Sequence, residues 1–151
     1  MMSARLFSSL LVCSLLIHAC SSIGLGRKQA AGARGRLMCD GKPASGVLVK
    51  LYDDDRGIDL DDHMATTNTD ANGRFELSGH SHEFTTIDPK GRDTQFQVYT
   101  DCNDWLPCKR KFSIMIPDSY IASGSRPKKF YDAGTLELSG KFPAESRDCV
   151  H

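Results

Sequence analysis

"TQFQVYTDCNDWLPCKRKFSIMIP", Thr94 to Pro117, alternates apolar and polar residues on either side of a turn that two cysteines bracket. Phe96 and Val98 fall on one face, with Gln95, Gln97 and Tyr99 on the other. After the turn, Phe112, Ile114 and Ile116 line up in the same way. A period of two on both sides of an Asn/Asp/Pro break describes two strands of a half-buried sheet.

The same period extends outward in both directions. "GRLMC" offers Leu37 and Cys39 to one face, and "GVLVKLY" sets Val47, Val49 and Leu51 against Leu48, Lys50 and Tyr52. "GRFELSG" puts Phe75 and Leu77 inside with Arg74 and Glu76 outside, and "DAGTLELSG" adds Leu136 and Leu138. The breaks carry turn chemistry: Pro43 in "GKPAS", then Asp70, Asn72 and Gly73 in "TDANGRF". There a short polar side chain bonds the local backbone and a glycine is free to take positive φ. Six short amphipathic strands with no helical stretch predict an all-β chain, an antiparallel β-sandwich.

The ends set the compartment. Arg5, the apolar run "LFSSLLVCSLLIHAC" and the small residues "CSSIG" have the form of a secretory signal peptide. The run is shorter and more interrupted than the roughly 20 apolar residues a spanning helix needs, so the chain is not expected to span a membrane. We place the cut after Ser21, making residues 1–21 the signal peptide, with Ala19 or Gly24 as alternatives. "GLGRKQAAGARG" is small, basic and non-periodic, so 22–34 reads as a flexible leader. Export removes Cys13 and Cys20 and leaves Cys39, Cys102, Cys108 and Cys149, which are expected to form two disulfides. A metal site would call for close ligand pairs such as Cys-x-x-Cys, and none occurs. Four cysteines allow three connectivities.

The full chain has 19 basic and 19 acidic residues. Losing Arg5 leaves 18 against 19, a net charge near −1, without the basic excess of a nucleic-acid binder. About 130 mature residues make a single domain with a modest core. No N-x-S/T sequon follows Asn68, Asn72 or Asn103.

Four stretches could carry a site. "LYDDDRGIDLDDHM", Leu51 to Met64, holds Asp53, Asp54, Asp55, Asp59, Asp61 and Asp62. It fails the EF-hand template: counted from Asp53, Gly57 is fifth, Ile58 sixth and Met64 twelfth. It reads as the long loop between two strands, its carboxylates all in water, with Asp59, Asp61 and Asp62 as the residues to face a partner. "HSHE", His80 to Glu83, reads as an exposed loop just after a strand. A metal would use His80 and His82, or Asp53 and Asp55, but no metal or other cofactor is expected. Trp105, the single tryptophan, stands with Asp104 in the cysteine-bracketed turn, either as a binding anchor or, the favoured reading, as a cap on the core. Lys109 and Lys111 should point outward and Arg110 with the core-side series. The basic set, with Arg126, Lys128 and Lys129, could meet an anionic surface such as lipid head groups, though solvated charge is favoured.

These residues carry a family resemblance. "GRLMCDGKPASGVLVKLYDDD", "TDANGRFELSG", "IDP", "CNDWLPCKRKFSIMIPDSYI" and "KKFYDAGTLELSGKFPAESRDC" resemble the secreted transthyretin-like family of nematodes, from Gly35 to Cys149. The cysteine frame with the Y-D-x-G-T-L ending is the specific part. The T-D-x-x-G-x-F element alone is shared with related prealbumin-type modules. The resemblance implies a transthyretin-like antiparallel β-sandwich of about seven strands over 35–140. It also implies two bridges at one end, Cys39–Cys102 and Cys108–Cys149, the second tying down the tail 141–151.

Related folds host three kinds of work, so the fold does not decide the function. Hydroxyisourate hydrolases resemble this architecture but rely on a histidine-arginine cluster and a C-terminal Tyr-Arg-Gly-Ser. Here the chain ends "RDCVH" and "GRLMC" has no histidine, so no enzyme activity of that type is expected. A hormone carrier would need a final strand after Leu138, where the sequence is the turn-like "SGKFPAES". The remaining reading is a secreted, extracellular, non-enzymatic binding module. Its partner would be a cell-surface protein, a lipid surface or a small apolar ligand, with the hydrolase and the carrier of small hydrophobic ligands as alternatives.

Overall fold

A computed structural model describes residues 27–53, 62–83 and 94–151. Among these residues ten strands follow one another: β1 (Arg27–Cys39), β2 (Lys42–Pro43), β3 (Leu48–Asp53), β4 (Asp62–Asn68), β5 (Arg74–Glu83), β6 (Thr94–Thr100), β7 (Lys109–Met115), β8 (Ala122–Ser123), β9 (Tyr131–Glu137) and β10 (Ser146–Asp148). Seven have six or more residues, as the resemblance implied; β2, β8 and β10 are short additions. The helical part, among the described residues, is a single 3-10 turn at Asp118–Tyr120, and no helix there is long and apolar enough to cross a membrane.

The strands form two layers. In the first, β1 lies between β5, antiparallel, and β9, parallel, with β2 and β8 also paired to β1. In the second, the order β10-β7-β6-β3-β4 is antiparallel throughout. The alternating residues meet between the layers: Leu37, Val49, Leu51, Phe96, Val98, Phe112, Ile116 and Leu138 are almost wholly buried. Burying each such side chain contributes roughly 1.5–3 kcal/mol relative to exposure, so this interior holds the sandwich together.

The turn "TDANG" behaves as its residues require. The Asp70 carboxylate accepts the backbone N–H groups of Asn72 and Arg74, both at 2.8 Å. Gly73 takes φ 72° and its carbonyl accepts the N–H of Leu37 at 2.7 Å. A Cβ on Gly73 would sit 2.2 Å from the Leu37 carbonyl oxygen. Gly73→Ala therefore combines a left-handed backbone with a backbone clash, and should cost roughly 2–3 kcal/mol. Urea unfolding with a lowered midpoint and an unchanged slope is the expected result; an unchanged midpoint would refute it.

Four expectations are corrected. The flexible leader expected over 22–34 does not hold for 27–34, because Arg27 to Arg34 already belong to β1. Ala30, Ala31 and Ala33 have no exposed surface, and a Cβ on Gly32 would lie 2.8 Å from the Phe130 ring. These residues are small because neighbours press on them, not because the segment is loose. The acidic stretch is not loop throughout. Asp53 ends β3 on the same inward face as Val49 and Leu51 and is 2% exposed, while Asp62 opens β4, a strand that the polar "DHMATTN" did not suggest. "HSHE" continues β5 rather than leaving it. The outward side chains of β6, Gln95, Gln97 and Tyr99, are also buried, because β6 runs between β3 and β7 and the Tyr99 hydroxyl donates to Gln97 Oε1 at 2.6 Å.

Candidate functional site

The β6–β7 connection, Asp101 to Cys108, is where side chains of unusual exposure meet an unusually fixed backbone. Its foot after β6 is bridged to the end of β1 through Cys39–Cys102, and its foot before β7 to the tail through Cys108–Cys149. These are the two pairings the resemblance implied, and both lie at one end of the sandwich. Positive φ angles at Asn103 (53°) and Cys108 (75°) bend the chain back on itself. Asn103 Nδ2 donates to Asp40 Oδ1 at 2.9 Å, and the Asp104 N–H donates to the Asp101 carbonyl at 3.0 Å.

Charge closes the frame. Arg147, in β10, grips Asp104 with both terminal nitrogens at 2.6 and 3.0 Å and also donates to the Cys108 carbonyl. This two-pronged geometry is the strong form of an ion pair. The Arg147 guanidinium holds the Asp104 carboxyl below the usual carboxylate range, and Asp104 in return raises Arg147. Lys109 pairs with Asp101 at 3.3 Å and Lys111 with Asp148 at 3.1 Å. Both lysines therefore point away from the core, as their alternation predicts, and each is engaged with an acid of the same end.

Beneath the loop lies Arg110, 7% exposed. All five of its N–H donors are used. Nε and Nη2 donate to the Glu145 carboxylate, Nη1 to the carbonyls of Cys102 and Leu138, and Nη2 also to that of Gly140. Arg110 raises no partner demand of its own; it welds loop, β9 exit and tail together. Its inward direction is legible from the alternation of "CKRKF", but its carboxylate partner is not, since Glu145 is 35 residues away in a turn.

On this frame Trp105 is 89% exposed and Leu106 44% exposed, with Val150 also bare at the tail. Trp105 therefore does not cap the core, which corrects that expectation: the bend at Asn103 and the Asp104 ion pair turn the loop tip outward. An aromatic carried on a fixed backbone leaves little backbone entropy to lose on contact, which suits it to docking.

The remaining sequence candidates are not gathered here. His80 and His82 are exposed on the outer side of β5 with rings 5.7 Å apart. Asp53 is buried and accepts hydroxyl hydrogen bonds from Ser81 and from Thr94, so it is a satisfied interior carboxylate. Asp62 is exposed at the start of β4. Asp55, Asp59 and Asp61 lie outside the described residues, as do residues 1–21, expected from the sequence to be a signal peptide, with Cys13 and Cys20. No group of three or more metal-ligating side chains occurs among the described residues.

Comparison with known proteins agrees with this architecture. The sequence profile described as "TTR-52: Transthyretin-like family" matches residues 34–117. Transthyretin-like protein 5 of Caenorhabditis elegans is 56% identical over 142 residues, spanning 93% of this chain and 99% of the relative. Transthyretin-like protein 33 of the same organism is 48% identical over 124 residues, 82% of this chain and 83% of the relative. Transthyretin-like protein 2 is 47% identical over 133 residues, 84% of this chain and 86% of the relative. With a two-layer sandwich, two disulfides and relatives matched over most of their length, this chain belongs to the transthyretin-like family.

Proposed function

We propose that the chain is a secreted, non-enzymatic binding module that engages an extracellular protein through the β6–β7 loop, with Trp105 as its anchor. One observation carries this reading: a tryptophan 89% exposed on a loop that is disulfide-linked at both feet. Binding residues sit preferentially on loops that a rigid scaffold positions, and tryptophan is among the commonest energetic anchors of protein interfaces. Two disulfides support an oxidising, extracellular destination. The interior favours this role over carriage of a small apolar ligand, because the space between the sheets is filled by Phe75, Phe96 and Phe112.

The test uses the oxidised mature protein immobilised against cell-surface extracts, with Trp105→Ala and Met115→Ala compared. Met115 is a second exposed apolar residue, 42% exposed and in β7. The partner captured by the wild type should lose about tenfold or more in affinity for Trp105→Ala and keep its affinity for Met115→Ala. Thermal midpoints of the three proteins should agree. Equal capture by Trp105→Ala would refute the assignment of the loop. Turnover of hydroxyisourate by the purified protein would refute the non-enzymatic reading, and an uncleaved N-terminus on protein recovered from medium would refute the cut after Ser21.

A further inference from the structure

The outer face of the β5–β1–β9 layer carries an open cleft of about 600 Å³. It follows from strand register. Arg34 and Arg36 of β1 share one face, separated by Gly35; across the antiparallel ladder Arg36 stands opposite Arg74, and Arg34 opposite Glu76. On the other side, Arg34 faces Asp132 and Arg36 faces Thr135, past a bulge near Gly134, whose φ is 67°.

Part of the charge in the cleft is already engaged. Arg34 Nε donates to Asp132 Oδ2 at 3.1 Å, and Asp132 Oδ1 accepts the Gly134 N–H at 2.9 Å. Asp70 is occupied by the two backbone N–H groups of its own turn. Glu76 stands opposite Arg34 on the ladder, but Arg34 is already paired with Asp132, so Glu76 is an acid at the rim with no ion pair among the described residues. That leaves Arg36 and Arg74 directly opposite each other, with neither hydrogen-bonded to a carboxylate among the described residues. Like charges in this relation destabilise a sheet. Arg36 Nε is fixed on the Asn72 carbonyl at 2.9 Å, which anchors the guanidinium while its terminal nitrogens make no hydrogen bond among the described residues.

We propose that this cleft binds a tetrahedral oxyanion, a phosphate or sulfate group, between Arg36 and Arg74, with the Thr135 hydroxyl as a further donor. Two guanidinium forks from opposed strands and a hydroxyl from a third offer donors from three directions, which suits a tetrahedral group better than a planar carboxylate. The site shares no residue with the Trp105 loop, so either can fail without the other.

The test follows the thermal midpoint of the oxidised protein at low ionic strength. Inorganic phosphate, inorganic sulfate and phenyl phosphate are each compared with chloride at equal ionic strength. The oxyanions should raise the midpoint beyond chloride by mass action. A phenyl phosphate response matching that of inorganic phosphate assigns the site to esters as well as free ions. Arg74→Ala should weaken oxyanion affinity about tenfold or more, while its ligand-free midpoint stays level or rises because the opposed charge is gone. Arg74→Lys should restore part of the affinity, and Glu76→Gln should strengthen it by removing a nearby negative charge. A response no greater than chloride, or an Arg74→Ala response equal to wild type, would overturn the proposal.

Discussion

Arg110→Met is expected to lower the free energy of unfolding by about 3–5 kcal/mol, among the largest effects of any single substitution in this chain. Methionine keeps the apolar stem but none of the five donors. The carbonyls of Cys102 and Leu138 lose a buried hydrogen-bond partner and that of Gly140 a part-buried one. The Glu145 carboxylate, only 18% exposed, loses its cation. Removing one member of a buried pair costs more than the pair contributes, because the survivor keeps its desolvation cost. Urea unfolding measures the loss, and a change under about 1 kcal/mol would reduce Arg110 to the standing of a surface ion pair.

Glu145→Gln separates charge from hydrogen bonding at the same place. It keeps an acceptor for Arg110 and should cost less than Arg110→Met. The pair also sets a pH dependence. The hydrogen bond from Arg110 is the largest influence on Glu145 and holds its carboxyl below the usual carboxylate range. A carboxyl depressed in the folded state stabilises fully above its unfolded pKa, near 4.3, and that contribution is lost as pH falls through the lower, folded value. The wild type should therefore lose stability across that acid window more steeply than Glu145→Gln.

How much of this was legible depended on whether a residue's role follows from its neighbours in sequence. Phe96, Val98 and Phe112 announced their strands because a core face repeats every second residue, and Gly73 announced its turn because few other residues accept its backbone. The first half of β1 was hidden for the opposite reason. Alanine and glycine are poor strand formers in isolation, and only the pressure of Phe130 and the neighbouring strands makes small size the requirement there. Gly79 misled in the same way: it looked like a strand end, yet β5 passes straight through it because a Cβ there would lie 2.4 Å from the Met64 carbonyl oxygen. Asp53 was masked by the aspartates around it, although it continues the inward series of Val49 and Leu51. At the candidate site, the cysteines and the direction of Arg110 could be read. The clasp of Arg147 on Asp104 could not, because it exists only once the tail has docked.

The two disulfides should differ sharply in what their removal does. Cys39 and Cys102 are 63 residues apart in sequence, and Cys108 and Cys149 are 41 apart. Chain entropy alone assigns roughly 4 kcal/mol to each, since the dependence on loop length is logarithmic. The folded contacts break that near-equality. Cys39–Cys102 joins one layer to the other, β1 to the exit of β6, so without it the unfolded chain gains freedom across both sheets. Cys39→Ser with Cys102→Ser should lower global stability by about 4 kcal/mol, read as a shifted denaturant midpoint. Cys108–Cys149 instead ties a short tail already held by Arg147 on Asp104, Lys111 on Asp148, Arg110 on Glu145 and Phe142 stacked on Phe112. Cys108→Ser with Cys149→Ser should therefore act as local opening, with faster hydrogen exchange in β10 and along the β7 edge it covers, and a smaller shift in the midpoint. Equal global losses from the two pairs would show that the tail's ion pairs hold nothing once the bridge is gone. The predicted asymmetry also bears on Trp105, because the outer foot of its loop would then depend on Arg147 and Arg110, and its capture of a partner should weaken in the second variant while the sandwich stays folded.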